Sequence, residues 1–162
     1  MQNIKPEVFN RYHHLSTKHF NRLNRAVNIL QSKDLQKDEY IDFVDVLTSR
    51  FQSLQSVIAE KLLPTILELL GEEVRNRPFI EIYERAIKLN IVNLEYNEWI
   101  ELRKERNIIS HGDYDELELP ELKEVIKDFI ENEVDKIIAL FLHIKDYISK
   151  NKILSNLIKE YK

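Results

Sequence analysis

Apolar and polar positions alternate with helical period along nearly the whole chain. At 100° per residue, Phe9, Tyr12, Phe20, Leu23, Val27 and Leu30 fall on one side of a segment running from about Pro6 to Gln31. The polar segment "SKDLQKDE" ends it. A second helix is expected from near Asp38 to about Leu70, where Val44, Leu47, Phe51, Leu54 and Ile58 repeat by three and four as a bundle seam. Pro64 should kink or break it, and Gly71 is a natural C-terminal cap. "RNRPFIEIYERAIKLN" opens a shorter helix with Pro78 at its first turn and Asn90 suited to its end. A fourth helix runs from about Glu95 to Ser110, with Trp99 and Leu102 turned inward and His111-Gly112 ending it. The fifth starts near Pro120. Its core stripe is Leu122, Val125 or Ile126, Phe129, Ile137, Leu140 or Phe141, Ile144 and Ile148, and a short tail helix, "NKILSNLIKEYK", follows. The pattern predicts a single all-α domain over residues 1–162, an antiparallel helical bundle with short loops.

Composition narrows this further. Two glycines and four prolines in 162 residues leave little material for tight hairpins, so a β-rich fold would be hard to build. The absence of cysteine removes disulfides and thiolate metal sites. The start, "MQNIKPEVFNRYHH", has no apolar core of a secretion signal, and no apolar run reaches the eighteen or so residues of a membrane span. A cytoplasmic protein without membrane contact is expected. The net charge of -4 decides little, but its distribution is uneven. Arg11, Lys18, Arg22 and Arg25 gather within about 60° on the polar side of the first helix, either as a track for RNA phosphates or as a solvated face. Residues 113–135 carry ten acids against Lys123 and Lys127, which would repel a polyanion.

The densest chemistry lies in "RKERNIISHGDYDE", from Arg103 to Glu116. A histidine can take the proton from an RNA 2′-hydroxyl or protonate the leaving oxygen, because its pKa lies near neutrality. An arginine stabilises charge building on the phosphorus oxygens. On a straight helix Arg106 and His111 stand about 140° apart; at a turning helix end they converge on one phosphate. The spacing alone has about one chance match in such a chain. Context adds to it: Asn107 follows the arginine, and the motif closes a helix of a bundle. Arg103, three residues earlier, either binds phosphate or pairs with Glu101, Glu105 or Asp113. Asp45 and Arg50 flank the seam of the second helix, to orient the motif across the bundle or to pair with each other. His13, His14 and His19 show no paired spacing with a third ligand, no glycine-rich phosphate loop exists, and "DYDELE" lacks calcium-loop spacing, so neither metal nor cofactor is expected.

"RNIISH" in an all-helical chain resembles the Arg-Asn-x-x-x-His signature of HEPN domains. "FVDVLTSRFQSLQSVIAEKLLP" and "EWIELRKERN" resemble segments of HEPN proteins of the toxin and nucleotidyltransferase-partner type, and the likeness spans roughly Asp38 to Asp146. The resemblance implies a four-helix up-and-down bundle with one additional helix, forming a homodimer. It implies metal-independent RNA cleavage, as the toxin of a toxin–antitoxin or defence module. Arg106 and His111 would then be the catalytic pair, with Asn107 as a polar helper. In many HEPN toxins a tyrosine two residues after the histidine is adenylylated by a nucleotidyltransferase antitoxin. Here that position is Asp113, and Tyr114 follows one residue later as the possible modification site. The alternative is a non-catalytic helical partner of a minimal nucleotidyltransferase, to which the acidic 113–135 segment is suited.

Overall fold

The computed structural model describes residues 6–111 and 114–160, with residues 105–111 and 159–160 described by backbone alone. The described chain is all-helical, with no strand, and forms a helical bundle. Its helices are α1 (Pro6–Ser32), α2 (Lys37–Val57), α3 (Leu63–Leu69), α4 (Phe79–Lys88), α5 (Tyr96–His111), α6 (Leu119–Phe129), α7 (Asp135–Lys150) and α8 (Lys152–Glu160). The four residues between α1 and α2 turn the chain back on itself, and these two helices share the most extensive packing in the molecule.

The expected apolar stripes are the ones that become the core. Phe9, Leu23, Val27 and Leu30 of α1 are buried, and Val44, Leu47, Phe51 and Leu54 of α2 face them. Arg11, Lys18, Arg22 and Arg25 stay exposed on the outer side of α1. In α6 and α7 the structure buries Ile126 and leaves Val125 40% exposed, while Leu140 and Phe141 are both buried. Phe20 meets Phe141 and Phe51 meets Phe129, each pair with ring centroids 5.1 Å apart, joining α1 and α2 to the C-terminal half.

Pro64 neither breaks the second helix nor ends it. A π-helical turn, Ile58–Leu62, leads straight from α2 into α3, with Pro64 in the first turn of α3. A proline ring inside an α-helix collides with the carbonyl four residues back. Widening the preceding turn by one residue moves that carbonyl aside and keeps both segments on one rod. A second π turn, Ile130–Val134, joins α6 to α7. It contains no proline; its extra residue resets the apolar register, so that Ile130 and Val134 are buried as well as Phe129 and Ile137.

Two left-handed caps stop the rods where the sequence marks them. Gly71 has φ +87°, and the Glu72 amide donates to the Leu67 carbonyl at 2.9 Å. Asn90 has φ 60°, and the Ile91 amide donates to the Ala86 carbonyl at 2.9 Å. Between them α4 docks on α5 through a cluster of Phe79, Tyr83, Tyr96 and Trp99. Tyr83 is fully buried, donates to the Leu94 carbonyl at 2.6 Å and has its phenol pKa raised by that burial. Pro78 caps α4 from just outside its first turn.

Candidate functional site

The helix that carries the arginine–histidine motif is α5, and its backbone stays helical through His111. Arg106 and His111 therefore stand about 140° apart around its axis, the straight-helix alternative. The side chains of Arg106, Asn107 and His111, and all of Gly112 and Asp113, lie outside the described residues. What the structure does define is where this helix end is held. Just beyond it, Tyr114–Glu116 form a single 3₁₀ turn. The Tyr114 hydroxyl donates a short hydrogen bond to Asp45 on α2, and Lys37 Nζ donates to the Asp115 carbonyl at 2.9 Å. Both contacts pin the chain after the motif to the first half of α2.

Asp45 also lines a groove of about 640 Å³ between α1 and α2. Arg22 and Arg25 reach it from α1, Arg50 from α2, and Phe43 and Val46 form its apolar wall. No arginine of the three is ion-paired among the described residues. Arg50 donates instead to His19 Nδ1 at 2.9 Å. A guanidinium has no acceptor, so this contact fixes His19 as the neutral tautomer with its proton on Nε2. Burial lowers the His19 pKa, and Arg50, Lys18, Arg22 and Lys61 lower it further. Asp45 and Arg50 are committed to Tyr114 and His19 respectively rather than to each other. Tyr114 is half-buried; burial first, then the bond and charge of Asp45, push its phenol up to about 12. At neutral pH the Tyr114 phenol keeps its proton.

Arg103 is exposed on α5 and makes no ion pair among the described residues. Glu101, one of its expected partners, pairs with Lys104 at 3.3 Å, while Glu105 and Asp113 lie outside the described side chains. Arg103 instead lines a second cavity, of about 440 Å³, with Gln55, Trp99 and Phe79. The sequence pattern hides this cavity because Gln55 looks like one more polar residue of α2. Its spacing of four from Phe51 is the signal that it belongs on the buried side. The His19–Arg50 pair spans 31 positions and leaves no local trace.

Among the described residues no group of three or more His, Asp or Glu is placed to hold a metal ion, and no helix is long and apolar enough to cross a membrane. No protein-family model, curated protein or solved structure matches the chain.

Proposed function

We propose that this chain is a HEPN-type endoribonuclease that works without metal, as the toxin of a toxin–antitoxin or defence module. The observation that carries the reading is the "RNIISH" motif on the last turns of α5, tethered through Tyr114 and Asp45 to the rim of a groove lined by Arg22, Arg25 and Arg50. RNA phosphates lying on Arg22, Arg25 and Arg50 would lead the strand to that helix end. There His111 takes the 2′-hydroxyl proton or protonates the departing 5′-oxygen. The 2′-oxygen bonds to phosphorus and leaves a 2′,3′-cyclic phosphate. Arg106 stabilises the phosphorane, and Asn107 supports the pair.

The 140° separation of the two positions on one helix favours a site completed by a second copy, so the homodimer and the up-and-down order of HEPN core helices form part of the proposal. His111→Ala and Arg106→Ala should each abolish RNA cleavage in EDTA and relieve growth inhibition. Retention of both activities in both variants contradicts the proposal.

One observation favours a second reading, a non-catalytic partner of a small nucleotidyltransferase. Asp115, Glu116, Glu118, Glu121 and Glu124 are all exposed on the segment that follows the motif, and their charge opposes RNA approach. Co-purification with such a partner, with no cleavage of an RNA pool at high protein concentration, selects this reading. In either case Tyr114 is the proposed acceptor of a nucleotidyl group, and mass spectrometry of the co-expressed protein reads that addition directly.

A further inference from the structure

The cavity under Arg103 has an unmet demand for hydrogen bonds. Gln55 is 1% exposed, and neither its amide nitrogen nor its amide oxygen has a partner among the described residues. Trp99, fully buried, leaves its indole N–H in the same condition. Buried polar groups nearly always find partners, and the unpartnered atoms of Gln55 and Trp99 lie just beneath the wall of one cavity, so a ligand that shifts that wall gains their hydrogen bonds.

The chemistry of the lining defines what fits. A primary amide presents a donor and an acceptor side by side, the complement of a nucleobase edge, and the indole N–H asks for one more acceptor. Phe79 and Ile82 offer apolar contact to the faces of a planar ring. Charge at the mouth sets the rest. Arg77 is held by Glu73 at 3.6 Å and Glu81 at 3.4 Å, and Glu60 adds an exposed carboxylate. Arg103 is the lining cation without an acidic partner among the described residues. Such a mouth suits the single charge of a phosphodiester and repels a polyphosphate.

We infer that this cavity takes one unstacked nucleobase of an RNA strand, with Gln55 and Trp99 reading its edge and Arg103 meeting the adjoining phosphodiester. The inference rests on the ribonuclease reading for the strand itself. Arg103 lies one helical turn before Arg106, so a base seated here would set which linkage reaches the motif.

Trp99 is the only tryptophan in the chain, so its emission reports on this cavity alone. The His111→Ala protein, which should leave RNA intact, is titrated with uridine, cytidine, adenosine and guanosine homotrinucleotides, the four mononucleotides and orthophosphate. At least one trinucleotide should change Trp99 emission saturably, more tightly than its mononucleotide, with no response to orthophosphate. Gln55→Leu should weaken that binding at least ten-fold, and Arg103→Gln should erase the advantage of the trinucleotide. Absence of a saturable change with every nucleotide up to millimolar concentration overturns the inference, as does wild-type affinity in Gln55→Leu. Mononucleotides binding as tightly as trinucleotides overturn the strand as the source. Cleavage is read separately on the wild type, so a cavity that binds bases in a protein that cuts no RNA refutes only the ribonuclease reading.

Discussion

Replacing Gln55 by leucine should make the protein more stable, although it removes a polar residue from the centre of the proposed base pocket. The amide is 1% exposed and both of its polar atoms lack partners among the described residues. A buried group left in that state costs about 1–3 kcal/mol relative to hydration. Leucine has nearly the same volume, and Phe51, Leu54 and Ile58 around it are fully buried, so its branched end adds apolar contact in place of the amide. A change of shape in a packed core typically costs under about 1.5 kcal/mol. The difference leaves a net gain of about 1 kcal/mol, equivalent to a rise in Tm of roughly 2–4 °C for a chain of this length. Urea denaturation followed by circular dichroism reads it as a higher midpoint at an unchanged slope. A lower midpoint refutes the reasoning, because it would mean that the amide is satisfied in the free protein and the cavity has no open demand.

Further outcomes follow from the same structure. Burial, then Lys145 and His14, lower the His13 pKa to about 4 from 6.5. The unfolded chain therefore binds more protons between those values, stability falls as the pH drops from 6.5 towards 4, and His13→Gln should flatten that part of a Tm-against-pH profile. Tyr114→Phe and Asp45→Ala should each cost about 1 kcal/mol and be strongly non-additive in a double-mutant cycle, since both break the same side-chain bond between the turn after α5 and α2; additive effects contradict that tether. Arg22→Ala and Arg25→Ala should each reduce the salt dependence of RNA binding by about one unit of slope, whatever the RNA sequence. An unchanged slope removes the groove from the RNA path.

How much of this could be read from the sequence depends on the range of the interaction. The helical rods, the Gly71 and Asn90 caps and the inward Trp99 were legible because each rests on spacing within one or two turns. The π turn before Pro64 was not, since a one-residue widening leaves the apolar pattern almost unchanged. The partners of Asp45 and Arg50 lie 69 and 31 positions away, and nothing short of the fold reveals that they serve Tyr114 and His19 rather than each other. The motif itself is the reverse case: Arg106 and His111 are singled out by sequence alone, and the fold adds the setting of α5 rather than their side-chain geometry.

The central claim concerns RNA chemistry at that helix end, and product analysis tests it most directly. Purified wild-type protein and His111→Ala are incubated with a mixed RNA pool in EDTA, and the new 3′ ends are identified by mass spectrometry. The account predicts 2′,3′-cyclic phosphates with the wild type and intact RNA with the variant. No cleavage by the wild type, or equal cleavage by both proteins, contradicts it.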